Sequence, residues 1–404
     1  MGDVQRARST ADSVGQELFV EIRNSTSDES DEDDDFFKPF LSRFQCYGTD
    51  QTGCSTDFID AHPKLSLAHN KLTRADTFMY LFTNNDAEKP ELLHKCSNVT
   101  PPETNFNPKC KTEILIPASF SGACSVAIYR EIVSELLKKG CCNVILVDYM
   151  WGYSVDLAEE MLNAKIVAKQ LAKVVKILKK TYHLKRKDFI CTGSSVGAHI
   201  CGFIGQKTRL GVINGLDPIG SPIHEDTPVD ERLDPGDADC VQVIHTSAGG
   251  CLPSPGCNFS CGTIDIWFND GLEQKSAKME TVLALIKSDY VYATLNLVVG
   301  SHIQALQYYK ASIRAKDCIF IAVRCKNYDH YKSGMCSSCG RNGNKCILVG
   351  ADACDCLRKK TVKSKHKLRH FYLSTSDRCP YCSNTGLNTT GFHCKAPKLK
   401  DSPV

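Results

Sequence analysis

The chain turns on residues 187–206, Lys187-Asp-Phe-Ile-Cys-Thr-Gly-Ser-Ser-Val-Gly-Ala-His-Ile-Cys-Gly-Phe-Ile-Gly-Gln206. The apolar run Phe189 to Cys191 reads as a buried strand. It ends in Gly193-Ser-Ser-Val-Gly197, and an apolar segment with helical spacing follows. Strand, sharp turn and helix form the context in which a G-x-S-x-G nucleophile elbow works. The flanking glycines suit a strained turn where two chain segments pass close together. Ser195 is the candidate nucleophile, and Ser194 occupies a variable position of the pattern.

Working outward, the residues before and after the elbow alternate between short apolar runs and amphipathic stretches. Thr77–Phe82, Thr112–Ile116, Asn143–Asp148, Gly211–Asp217, Val241–Thr246 and Thr263–Phe268 read as strands. Val126–Lys139 and residues 156–180 read as helices. In the second of these, Lys165, Lys169, Lys173, Lys176 and Lys180 fall opposite the apolar positions as a solvated face. Buried strands alternating with helices predict an α/β fold, a mostly parallel central sheet covered on both faces.

Residues 1–40 carry the acidic run Asp28 to Asp35 and read as a disordered tail. Residues 41–317 form the globular domain. Residues 318–378 are rich in Cys, Gly and Lys and read as its disulfide-stapled end, with a Cys-containing tail at 379–404. The net charge of +3 over 404 residues gives no reason to expect nucleic acid as a partner. No run reaches membrane-spanning length.

Cysteine is over-used, with 23 residues. Such density points to disulfides and an oxidising compartment. Cys336-x-x-Cys339 and Cys379-x-x-Cys382 have zinc-like spacing, but the cysteines are spread from Cys46 to Cys394 rather than gathered in paired halves. The sequons at Asn24, Asn98, Asn258 and Asn388 also fit secretion. Residues 1–24 show no apolar signal-peptide core.

A serine hydroxyl needs a base to take its proton and an acid to orient that base. In the order Ser, acid, His, both partners lie downstream. Asp217 closes an apolar strand in Val-Ile-Asn-Gly-Leu-Asp217. His224, His245 and His302 are the candidate bases, with His302 best placed, before a helix expected to start near Ile303.

Several ordered segments make this chain resemble the pancreatic lipase family of secreted α/β-hydrolases. Gly193-Ser-Ser-Val-Gly-Ala-His199 resembles G-H-S-L-G-A-H. Asn214-Gly-Leu-Asp-Pro218 resembles T-G-L-D-P. Arg232-Leu-Asp-Pro-Gly-Asp-Ala238, Val243-Ile-His-Thr246 and Ser301-His-Ile-Gln-Ala305 resemble R-L-D-P-x-D-A, V-I-H-T and S-H-x-R-A. The resemblance runs from about Cys46 to Thr375. It implies an α/β-hydrolase fold in which Ser195 is nucleophile, His302 base and Asp217 its orienting acid. The implied reaction is hydrolysis of fatty-acyl esters of acylglycerols at a lipid–water interface, with no required cofactor. Phospholipase A1 members and catalytically impaired, lipid-binding members are the alternatives within the family.

The resemblance also implies backbone oxyanion donors at Val196 and Ser119. The family has His-Gly-Phe or His-Gly-Trp where this chain has Pro117-Ala118-Ser119, and loss of one donor costs roughly 3–4 kcal/mol of transition-state stabilisation. It implies a structural Ca2+ held by Asp234, Asp237 and carbonyls near Val229 and Arg232. It implies disulfides Cys46–Cys54, Cys325–Cys336 and Cys339–Cys346. The cysteines that close the family's lid are replaced by Ala277 and Gly300. Between them Met279, Val282, Leu283, Leu285 and Ile286 form an apolar helical face, which suits a movable lid or a packed helix. The loop with Cys251, Cys257 and Cys261 is expected to take over part of the stapling. The family's C-terminal β-sandwich is absent from the expected architecture.

Overall fold

A computed structural model describes residues 77–93, 104–118, 127–149, 157–249, 255–314, 319–354, 370–383 and 386–392. The acidic tail at 1–40, Cys46, Cys54, Asn24, Asn98, Ser119 and Cys251 lie outside these residues.

The strands in chain order are β1 (Phe78–Thr83), β2 (Asp86–Leu93), β3 (Lys111–Ile116), β4 (Cys142–Asp148), β5 (Phe189–Ser194), β6 (Leu210–Leu216), β7 (Ala238–His245), β8 (Ile264–Phe268), β9 (Ile321–Arg324), β10 (Cys346–Leu348), β11 (His370–Thr375) and β12 (Cys382–Ser383). They join in one twelve-stranded sheet, ordered β10-β9-β11-β8-β7-β6-β5-β3-β4-β1-β2 with β12 beside β11. From β4 to β11 the neighbouring strands run parallel. Antiparallel pairs finish both edges.

Helices α1 (Ala127–Lys139), α2 (Leu157–Tyr182), α3 (Val196–Thr208), α4 (Lys275–Ile286), α5 (Tyr290–Arg314) and α6 (Tyr328–Lys332) complete the main elements. Successive strand residues point to opposite faces, so each strand feeds two cores. Ile114, Cys191, Ile213 and Val241 pack with α2 and α3 on one face. Leu115, Val212, Leu216 and Ile244 pack with α1 and α5 on the other. This is an α/β-hydrolase fold, mostly parallel with helices on both faces.

The Cys-rich end is integral to the sheet. Phe371 pairs in parallel with Ile266 of β8, and Thr375 pairs with Cys382 of β12. The boundary expected at 378/379 therefore falls inside a strand pairing. Disulfides join Cys325 to Cys336 and Cys339 to Cys346. Those bonds use both cysteines of the first zinc-like pair; in the second, Cys382 is disulfide-bonded and Cys379 is free. Cys110–Cys141, Cys191–Cys201 and Cys240–Cys354 are further bonds that the sequence left unpaired. Cys257 and Cys261, expected to staple their loop, are instead buried free thiols. Among the described residues no helix is long and apolar enough to cross a membrane.

α5 departs from the expected short helix near Ile303. It runs unbroken from Tyr290 to Arg314, because no proline interrupts it and Gly300 is its only glycine. α4 does not pack through its apolar face. Ser276, Ala277 and Ala284 are buried, while Val282, Leu283, Leu285 and Ile286 face solvent, Ile286 at 74% exposure. Small residues let α4 lie close to α5, and the bulky ones are left outside. The expected lid cysteines have a substitute contact. Asn296 Nδ2 donates to the Ala277 carbonyl at 2.6 Å and to Thr281 Oγ1 at 2.9 Å. A Cβ on Gly300 would sit 2.3 Å from Asn296 Oδ1, so the glycine makes room for that clamp.

Candidate active site

β5 ends at Ser194, and α3 begins at Val196, leaving Ser195 at the turn with φ 57° and ψ −123°. A non-glycine residue there is strained, which the surrounding packing must enforce. A Cβ on Gly193 would lie 2.1 Å from the Gly197 carbonyl oxygen, and one on Gly197 would lie 2.5 Å from that of Ile116. Both elbow glycines are therefore steric requirements. The Ser195 side chain makes no capping bond to α3. Ser194 pairs with Leu216 across the strands, and Ser195 N–H donates to the Leu216 carbonyl at 3.1 Å. Ser195 and Asp217 thus stand at the same level on neighbouring strand ends.

Asp217 is fully buried and has a φ of 46°. Its Oδ1 accepts from the N–H groups of Thr246 at 2.7 Å and Ser247 at 3.1 Å. Its Oδ2 accepts from His302 Nδ1 at 2.6 Å and from the Ser247 hydroxyl. Burial alone would raise its pKa, but His302, Ser247 and Thr246 together hold it below its ordinary value. An ionised carboxylate accepts only, so His302 carries its proton on Nδ1. Among the described residues, both hydrogen bonds of His302 run through that nitrogen. Nε2 is the nitrogen left to act as a base. The sequence-derived Ser195, Asp217 and His302 therefore converge on one end of the sheet.

The alternative His245 is built differently. It is fully buried, with Nε2 2.9 Å from Asp265 Oδ1 and Nδ1 3.3 Å from the Cys257 carbonyl. Burial would lower its pKa, but Asp265 and Cys257 override this and raise it to about 10. A ring donating from both nitrogens has no lone pair to offer. His224 is an exposed turn residue. His199, three residues into the motif's helix, takes a bond from Leu233 N–H on Nδ1 and places Nε2 2.9 Å from the Ile219 carbonyl. Burial pushes it down to about 4, so it is a neutral strut.

Val196 is the first residue of α3, where N–H groups have no helical partner. Across from it, the Ala118 N–H is taken by the Tyr129 hydroxyl at 2.8 Å, and the Pro117 carbonyl accepts from Tyr149 at 2.7 Å. Ala118 is thereby removed as a second oxyanion donor.

A buried polar ladder lies beneath the site, and sequence patterning gave no sign of it. Glu113 Oε1 accepts from Thr192 and Tyr309, each at 2.7 Å. Asn214 donates to Thr192 Oγ1 at 3.0 Å, and Gln242 donates to Asn214 at 2.9 Å. The ladder fastens α5, and with it His302, to β3, β5, β6 and β7.

The expected calcium ligands Asp234 and Asp237 share one turn, with Asp234 N–H on Asp237 Oδ2 at 2.9 Å. Burial first, then the Asp234 charge, pushes Asp237 up to about 8. Two crowded oxygen ligands of this kind fit a hard cation. The Val229 carbonyl accepts from Gln206 at 3.2 Å, and Arg232 donates to the Thr227 carbonyl at 2.9 Å. Among the described residues no group of three or more His, Cys, Asp or Glu is gathered for a metal. Asn258 and Asn388 of the sequons are exposed.

A serine on a strained strand–helix turn, with a buried acid one strand away and a histidine bonded to it, belongs to the α/β-hydrolase class. The chain is a member of the Lipase family, whose model matches residues 45–381. It is similar to inactive pancreatic lipase-related protein 1 of Canis lupus familiaris, with 29% identity over 82% of this chain and 70% of that protein. Pancreatic triacylglycerol lipase of Mus musculus is 27% identical over 75% and 64% of the two chains. Phospholipase A1 member A of Bos taurus is 26% identical over 88% and 72%. The chain thus spans roughly two thirds of the length of such relatives.

Proposed function

We propose that this chain is a secreted carboxylic ester hydrolase of the lipase type, cleaving fatty-acyl esters of acylglycerols at a lipid–water interface. The observation that carries this reading is the 2.6 Å bond from His302 to buried Asp217, one strand from the elbow serine. His302 Nε2 takes the Ser195 proton as Oγ attacks the ester carbonyl. The tetrahedral oxyanion rests on Val196 N–H and, in this proposal, Ser119 N–H. His302 returns the proton to the departing alcohol. Water, deprotonated by His302, then attacks the acyl-enzyme, and the fatty acid leaves as Ser195 recovers its proton. Asp217 remains ionised and stabilises the imidazolium in both steps.

The outward apolar side chains of α4 support a substrate presented in a lipid phase. Disulfides within the described chain fit the oxidising compartment of a secreted protein. A structural calcium at Asp234 and Asp237, with carbonyls of Val229 and Arg232, belongs to the same proposal. Calcium then raises the melting temperature of the wild type and leaves Asp237→Asn unchanged.

The function is tested by fatty-acid release from emulsified triacylglycerol and from phosphatidylcholine vesicles, with Ser195→Ala as control. Faster release from triacylglycerol, abolished in the variant, is expected. Preferential release from phosphatidylcholine makes the chain a phospholipase. Folded wild type that releases nothing from either leaves the catalytically impaired, lipid-binding reading.

A further inference from the structure

Ser247 follows β7 directly and is buried. Its hydroxyl donates to Asp217 Oδ2, the same oxygen that holds His302, and lies 3.4 Å from His302 Nδ1. Its own N–H donates to the other carboxylate oxygen. Ser247 Oγ and its carbonyl oxygen each accept from Gly256 N–H at 3.1 Å. Gly256 in turn is pressed on the acid, since a Cβ there would lie 2.8 Å from both Asp217 oxygens. One residue therefore touches the acid from two atoms, neighbours the base, and seats Gly256 against the acid.

We propose that Ser247 is a positioning residue of the hydrolytic site, fixing the Asp217 carboxylate and sharing the oxygen that orients His302. This rests on the proposed triad. The hydroxyl draws negative charge from Oδ2. Without it, Oδ2 would bind the His302 proton more strongly and keep one anchor in place of two. Facing Asp217 are the His302 ring from α5 and, more remotely, the buried Cys257 thiol, which responds to the Asp217 charge.

The test compares wild type, Ser247→Ala and Ser247→Thr, each shown to be folded by its melting curve. The His302 ring is followed by NMR against pH, and the Cys257 thiolate separately by ultraviolet absorbance. In Ser247→Ala the His302 titration and the acid limb of kcat/KM both move to higher pH. Its kcat falls about tenfold with KM changed less than about twofold. Ser247→Thr, which keeps a hydroxyl, titrates as wild type does. A His302 titration unmoved in Ser247→Ala, or displaced equally in both variants, overturns the proposal. The NMR titration needs no turnover. A wild type that releases no fatty acid would sink the proposed function and still let the ring decide the role of Ser247.

Discussion

Among the described residues, two histidine–aspartate pairs differ in what surrounds them. His302–Asp217 spans 2.6 Å with the imidazole 11% exposed and the carboxylate buried. His245–Asp265 spans 2.9 Å with both side chains at 0%. In the first, one ring nitrogen meets the acid, and among the described residues no hydrogen bond engages the other. In the second, both nitrogens are engaged, and the ring stacks on Trp267 at 3.9 Å between centroids. Proximity of His to Asp therefore does not make a base. A base needs an oriented nitrogen with a lone pair, and burial on all sides removes that. The second pair is a structural brace that ties β7 to β8 and to the Cys257 loop.

Replacing His302 should break the first pair with the largest effect. His302→Ala is expected to lower kcat by about 10^4- to 10^6-fold. Its melting temperature should fall by only a few degrees, because the ring is partly exposed and Thr246 and Ser247 still bond the Asp217 carboxylate. Ester release and calorimetry on the same sample check both halves. Asp265→Asn should produce the opposite signature. Removing one partner of a fully buried charged pair costs about 3–5 kcal/mol. Denaturant unfolding should show that loss, while kcat per folded molecule, counted by active-site titration, stays within about threefold of wild type.

The ladder under the site gives the smallest effect, and one with a definite sign. Burial raises the Glu113 carboxyl above its ordinary value, outweighing the bonds from Thr192 and Tyr309. Above the ordinary carboxylate pKa of about 4.3, the folded state then holds a proton that the unfolded chain has lost. Stability from this group is present at low pH and falls as pH rises toward the raised value. Glu113→Gln removes the titration, so the difference between variant and wild type should shift in the variant's favour as pH rises. Chemical unfolding at a series of pH values reads this directly.

The elbow and Asp217 were legible in the sequence because each is a local pattern: an apolar strand followed at once by its polar terminus. The core strands were legible for the same reason. His302 needed the motif around it, since a histidine beside a helix has no signature of its own. The helix proved longer than expected because its continuation toward Tyr290 depends on packing with α4. The sequence left the apolar face of α4 open between a lid and a packed helix, and the packed reading fails because small residues hold the interface and large ones lie outside it. Glu113, Thr192, Asn214, Gln242 and Tyr309 were not legible as a group. They lie on separate elements, with Glu113 and Tyr309 196 positions apart, and meet only once the strand order is known. β9 to β12 were missed because their short runs sit among Cys, Lys and Gly without a period-two pattern.

In the proposed mechanism Ser195 is a nucleophile activated by His302. A fluorophosphonate probe reacts with such a serine by displacing fluoride and bonding phosphorus to Oγ. Incubating the folded chain with the probe, followed by peptide mass mapping, locates the reactive residue. One adduct is expected, on Ser195 in wild type, and it is lost in His302→Ala. An adduct on another residue, an unlabelled folded wild type, or equal labelling in His302→Ala would contradict that mechanism.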